Sequence, residues 1–380
     1  MQLRRLFWTI TFMVNLSLIS SFAQQPVDVY LRQLPAANST KVNNIPEPAP
    51  PPAVVQDFFD LDLFYEQWIN VGGLPVLASA QVDPYALKET AWIIEQMIGH
   101  RPEVLRAMAG NKARFSVIAH TEIITEIPEY RSDARPDFLA FRERGWGGTE
   151  RATVTSSEEN ILSYPGGGTY NVMIHEFAHG IHLLGLNDLD PTFDERLRMT
   201  YEASMKKGLW SGTYASSDRR EYWAEASQAW FNPNTPGSFS RFGNTRQALK
   251  RYDPGIAALL TEIYGDRNWR YTPIQTRTHL PHLQGFDPQN SPIFQGWPEL
   301  EVLYRQLATD PTSDGDGAWV NLKQYGPNHL SRLNQANALG TASAIIFVNF
   351  MFYCIGLALM GQKVTGPAFR RDMSEGRQAR

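Results

Sequence analysis

The stretch that decides how this chain is read is Ile174–His182, IHEFAHGIH, which holds three histidines and one glutamate. On a helix, positions 175 and 179 lie one turn apart on the same face, so their two imidazoles can reach one ion. Glu176 is turned by about 100° from His175 and points beside that ion, where a water would sit. The surroundings suit a helix. Asn171 offers an N-cap, Val172, Ile174, Ala178 and Ile181 supply apolar flanks, Gly166–Gly168 break the chain before it, and Gly185 is expected to stop it. A buried helix carrying unpartnered histidines and a glutamate would be costly, because buried polar groups need partners. A zinc ion supplies one.

The third ligand sets the subclass. A metzincin pattern needs glycine at position 182 and histidine at position 185. The chain has His182 and Gly185 instead, so that pattern fails. The remaining set is two histidines and a glutamate from a later helix. The segment GTYASSDRREYWAEASQAWF offers Glu221 and Glu225, four apart on one helical face. One can bind the metal while the other accepts a hydrogen bond from a ligand histidine and fixes its tautomer.

HEFAH followed by Tyr-x6-Glu-Tyr-Trp-Ala-Glu resembles the gluzincin zinc metallopeptidases, and among them the catalytic domain of anthrax toxin lethal factor. The likeness covers Ile174–Phe231. It implies a zincin-like α+β fold in which His175, His179 and Glu221 are zinc ligands and Glu225 supports a ligand histidine. It also implies Glu176 as general base and Tyr214 as the phenol that stabilises the oxyanion. His182 departs from that pattern. It is expected to be a buried, hydrogen-bonded histidine rather than a fourth ligand. Tyr222, Trp223 and Trp230 are expected in the core, packing this helix on the metal helix.

The activity this implies is zinc-dependent endopeptidase cleavage of a protein or peptide, by a metal-activated water with Glu176 taking its proton. The alternative from another class is a catalytically silent, zinc-stabilised extracellular binding module. The strand-rich stretch ATVTSSEENILSY, just before the metal helix, is expected to offer a sheet edge to an extended peptide. Glu158 and Glu159 are read as solvated turn carboxylates, and His279 and His282 as loop residues. DPTSDGDG at 310–317 lacks the closing glutamate of an EF-hand and is read as a polar turn.

Composition bounds the rest. The 380 residues carry 35 basic and 39 acidic side chains, a net charge of −4, which gives no support for nucleic-acid binding. The single cysteine, Cys354, allows no internal disulfide. A basic start, an apolar run and Ser21 and Ala23 before Gln24 read as a signal peptide over 1–23, so the protein is expected to be secreted, periplasmic or otherwise extracytoplasmic. Residues 24–56, with Pro46, Pro48 and Pro50–Pro52, read as an extended linker, and 57–335 as the metallopeptidase domain. Residues 342–360 are apolar apart from Asn349 and read either as a membrane span or as a buried strand and helix. With the basic tail 361–380, a span would leave the protein membrane-anchored.

Helical spacing of Leu87, Ala91, Ile94 and Ile98 predicts a helix ending near Gly99. RFSVIAHTEIITEI reads as one or two strands, and RATVTSSEENILSY as a strand, a turn and a second short strand. Further helices are expected over PTFDERLRMTYEASMKKG, with a Thr192–Glu195 capping box, over DRREYWAEASQAWF, and over DPGIAALLTEIYG, with Asp253 as cap and Pro254 in the first turn. Together these give a helix-rich α+β protein with a small sheet.

Overall fold

The computed structural model describes residues 25–35, 40–131, 144–149, 152–162, 171–231 and 245–294. The expected signal peptide, the Gly166–Gly168 break, the 310–317 turn, the 342–360 segment and the basic tail lie outside these residues. Among the described residues, no helix is long and apolar enough to cross a membrane.

The fold is α+β, helix-rich, with one small mixed sheet. Its strands are β1 (Gln67–Val71), β2 (Leu74–Ala78), β3 (Phe115–Ile118), β4 (Gly145–Trp146) and β5 (Val154–Ser157), in the order β1-β2-β3-β5-β4. β1 and β2 form an antiparallel hairpin in which Val71 faces Leu74 across Gly72-Gly73. Both glycines have positive φ, 59° and 101°, as a two-residue hairpin turn of matching twist demands. β2, β3 and β5 run parallel, and β4 pairs antiparallel with β5 at the sheet's end.

The helices are α1 (Gln25–Gln33), α2 (Ala53–Phe59), α3 (Pro84–Ile98), α4 (Pro102–Gly110), α5 (Glu158–Leu162), α6 (Val172–Gly180), α7 (Phe193–Lys206), α8 (Arg219–Phe231), α9 (Arg246–Tyr252) and α10 (Pro254–Tyr264). Local chemistry sets their ends. Asp83 caps α3 through Tyr85 N at 2.8 Å, with Pro84 in the first turn. Asp253 does the same for α10 through Ile256 N at 3.3 Å. α7 starts as predicted, but Thr192 makes no capping bond through its side chain, and Glu195 pairs instead with Arg198.

RFSVIAHTEIITEI forms one strand, Phe115–Ile118, within the expected one or two, and 3₁₀ turns follow it. Several expectations are corrected. After β5 the chain turns into helix α5 rather than a second strand, burying Ile161 and Leu162. Gly185 does not stop the helix that carries His175 and His179. α6 runs on through a π-helical turn, Ile181–Leu186, and one more turn at Asn187–Leu189. Gly185 serves close packing, since a Cβ there would lie 2.9 Å from Val104 Cγ1 of α4.

The Pro-rich segment is extended, as its composition requires, but it is not a loose linker. Ala49 N donates to Trp68 O at 3.1 Å, so the segment straps the outer side of β1. α1 before it is docked as well. Tyr30 is buried and its hydroxyl donates to Gly73 O at 2.9 Å. Packing around Tyr30, Phe59, Tyr65 and Trp68 forms a small second core beside the main one. A prolyl strap suits a sheet edge because it cannot offer a full row of donors to another chain.

The main core lies between the sheet, α3, α6, α8 and α10. Tyr222, Trp223 and Trp230 are all fully buried, as expected. Trp223 Nε1 donates to Ala178 O of α6 at 2.9 Å, and Tyr222 Oη donates to Asp253 at 2.6 Å. α8 is thereby locked against α6, which is what brings two distant sequence segments together.

Candidate metal centre

Asn171 Oδ1 accepts from Ile174 N at 3.3 Å and starts α6. That helix places His175 and His179 one turn apart, with Nε2 atoms 3.1 Å from each other. Asp218 starts α8 by accepting from the Arg220 and Glu221 backbone amides, at 2.6 and 3.2 Å. Glu221, in the first turn, reaches across with Oε2 3.1 Å from His175 Nε2 and 3.4 Å from His179 Nε2. Three ligand-type atoms thus form a triangle with edges of 3.1, 3.1 and 3.4 Å.

Those edges fit a metal. Tetrahedral coordination at bond lengths of about 2.0–2.1 Å separates neighbouring ligand atoms by about 3.3–3.4 Å. One ligand atom each from His175, Glu176 and His179 also falls within 4.8 Å of the others. Glu221 comes closer to both imidazoles, so it completes the inner triangle, and Glu176 holds the adjoining position.

Proton accounting points the same way. His175 Nδ1 faces two acceptors, Gln228 Oε1 at 3.2 Å and Glu225 Oε1 at 3.3 Å. The Gln228 amide is oriented by its other end, where Nε2 donates to Asn171 O at 3.3 Å. His175 Nδ1 therefore carries a hydrogen. A neutral His175 would aim a lone pair from Nε2 at the Glu221 carboxylate, a contact that either a proton or a metal ion between them would relieve.

The electrostatics follow from this convergence. Burial opposes charge on His175, but hydrogen bonds with Glu221 and Glu225 outweigh it and raise the imidazole well above its ordinary range. Burial alone would also raise Glu221. Its bonds with His175 and His179 overcome that and hold the carboxyl far below the usual carboxylate range. Glu176 is pushed upward by burial, against the pull of the two histidines. The Glu221 carboxylate is thus stabilised by positive charge at the centre, which a divalent ion would supply more fully than a proton.

Tyr214 opens a short 3₁₀ turn, Tyr214–Ser216, just before α8. Its ring lies over His175, with centroids 6.2 Å apart and planes 24° apart. The residue is 46% exposed, while its hydroxyl sits against Glu221. Burial of that hydroxyl, with the nearby Glu221 and Glu176 charges, raises the phenol well above its ordinary value, so it remains a protonated donor.

His182 is completely buried and turned away from the triangle. Its Nε2 lies 3.1 Å from Asp194 Oδ1, and its ring packs against Phe193 and Trp223. Among the described residues Nδ1 has no hydrogen-bond partner. A second N–H there would be a buried orphan, so the neutral form is favoured, and burial lowers the pKa to about 4.

Other expected positions shift. Glu158 and Glu159 are buried, not solvated turn groups. Glu158 accepts from the Asp83 and His120 amides, each at 2.7 Å, and Glu159 holds Arg144 in a two-pronged pair at 2.7 and 3.0 Å. His282 is also buried, 2.8 Å from Glu89, which pairs with Arg277. Neither group was legible from sequence, since each depends on a partner far along the chain. β5 is interior, covered by β4 over Thr155 and Ser156, so it is not the edge it was expected to be. The strand at the sheet's end is β4. Gly145 and Gly147 let it lie directly on α6, since a Cβ at Gly147 would sit 2.6 Å from His179 Cβ.

Gln228 is the site residue that the sequence reading missed. Positions 221, 225 and 228 fall on one helical face, at i, i+4 and i+7, and that spacing could have found it. No protein-family model, curated protein or solved structure matches the chain.

Proposed function

We propose that the protein is a zincin-like, zinc-dependent endopeptidase that hydrolyses peptide bonds with Glu176 as general base. The observation that carries this reading is the triangle of His175 Nε2, His179 Nε2 and Glu221 Oε2, with edges of 3.1–3.4 Å. The donor set of two imidazoles and one carboxylate is the one found in hydrolytic zinc sites that keep a coordination position open. Bound zinc would supply a Lewis acid and lower the pKa of an adjacent water to about 7.

The chain's own groups then have distinct tasks. Glu176 accepts a proton from the attacking water on one carboxylate oxygen and returns it to the leaving amine nitrogen. Water oxygen bonds to the carbonyl carbon as the C–N bond breaks, giving a carboxylic acid and an amine. The Tyr214 hydroxyl donates a hydrogen bond to the carbonyl oxygen as charge develops on it. Glu225 and Gln228 hold the His175 ring. An extended peptide would lie along β4, the strand seated on α6, where main-chain pairing supplies affinity with little sequence demand.

Glu176→Gln tests the reading. The variant is expected to bind zinc as the wild type does and to cleave a degenerate peptide library about 10²- to 10⁴-fold more slowly. Cleavage at the wild-type rate with zinc retained would remove the mechanism.

A further inference from the structure

Glu221, Glu225 and Gln228 form one stripe of α8, and the stripe ends on an amide rather than a third acid. Gln228 is fully buried. Its Oε1 lies 3.2 Å from His175 Nδ1, and its Nε2 donates to Asn171 O at 3.3 Å. Asn171 is the residue that caps α6 through Ile174 N. The side chain therefore spans from the first turn of one helix to a ligand ring on the same helix, from an anchor on another.

We propose that Gln228 is a positioning residue that sets the tautomer and orientation of His175 for metal binding. The proposal rests on the zinc reading above and deepens it. Two features argue for it. The amide cannot flip without placing Nε2 against His175 and Oε1 against a backbone carbonyl, so its acceptor is locked toward Nδ1. It is also neutral. Glu176, Glu221 and Glu225 already crowd the centre with acids, and Glu225 Oε1 stands only 3.3 Å from the same Nδ1. An amide oxygen adds a second acceptor for that N–H without a fourth negative charge. Glu225 sets the charge of the outer shell, and Gln228 sets the direction. Outer partners of this kind are worth about 10- to 100-fold in metal affinity.

The test uses the full chain, stripped of metal and titrated with zinc against a chromophoric chelator. Gln228→Met keeps length and apolar volume but removes the acceptor, and Gln228→Glu keeps an acceptor. Circular dichroism of the zinc-free proteins checks folding. The expected result is about 10- to 100-fold weaker zinc binding for Gln228→Met and a smaller loss for Gln228→Glu, which keeps the acceptor toward Nδ1 but sets its second oxygen against Asn171 O. The visible bands of the cobalt-substituted Gln228→Glu protein should also move, because a charged acceptor changes the donor strength of His175. A folded Gln228→Met protein that binds zinc like the wild type overturns the proposal while leaving the zinc reading intact. If Gln228→Met does not fold, the cobalt bands of Gln228→Glu decide, and unchanged bands overturn it. A wild-type protein that binds no zinc overturns both.

Discussion

His175 Nε2 lies 3.1 Å from Glu221 Oε2, although 46 residues separate the two in the chain. His175 sits mid-helix in α6 and Glu221 in the first turn of α8, and only the packing of those helices makes them neighbours. Replacing Glu221 with alanine removes one corner of the triangle and leaves two histidines that cannot enclose an ion. Wild-type protein should gain thermal stability with zinc, by about 2.7 kcal/mol at a free concentration 100 times the dissociation constant. Glu221→Ala should show no such gain in the same titration, and an equal gain would rule Glu221 out as a ligand.

Tyr214→Phe separates catalysis from binding. The residue is nearly half exposed and its hydroxyl contacts Glu221, so the variant should fold and keep its zinc. Peptide turnover should fall by about 10²- to 10³-fold in kcat, the usual loss when one oxyanion donor is removed. Steady-state kinetics with zinc content measured in parallel would check this. A change in KM alone would assign Tyr214 to substrate binding.

Gly147→Ala probes the seat of β4 on α6. The added methyl would meet His179 Cβ at 2.6 Å, closer than van der Waals contact allows. Either the strand lifts or α6 shifts with His179. Zinc affinity should drop by about tenfold or more, the scale of lost support around a ligand. A chelator-competition titration reads it, and unaltered affinity would mean that β4 yields without disturbing His179.

Acidification should destabilise the metal-free fold through His182. The unfolded histidine takes up a proton near its ordinary value of 6.5, whereas burial holds the folded one to about 4. Below 6.5 the unfolded state therefore binds more protons, so stability from this group is present above 6.5 and lost as pH falls toward 4. The full effect is on the order of 3 kcal/mol. Asp194 and its partner Arg219 face the ring. The Asp194 carboxyl, held down chiefly by Arg219, stays ionised over that window. Urea midpoints between pH 4 and 7 should fall with pH in the wild type and fall less in His182→Gln.

Trp223→Ala addresses the lock between α6 and α8. The indole is fully buried and bonded to Ala178 O. Its loss should cost about 3–5 kcal/mol of stability, measured by denaturant unfolding, and should weaken zinc binding because Glu221 is no longer held against the histidines.

The features readable from sequence are those set by short spacing. His175 and His179 had to share a face once the segment was helical. Glu221 and Glu225 stood in the same relation, and Asp83, Asp253 and Pro254 marked helix starts by their local bonding. The α+β balance followed from the same periodicities, and Gly72-Gly73 could have announced the first hairpin. Tertiary structure decided everything that depends on long-range pairing. It buried Glu158, Glu159 and His282 beside distant partners, carried α6 past Gly185 by packing it on α4, and laid the prolines along β1. It also put β4 outside β5, turned His182 toward Asp194, and brought Gln228 to His175. Spacing along a chain fixes which residues share a face, but which faces meet depends on apolar burial summed over the whole fold, and no short window of sequence contains that sum.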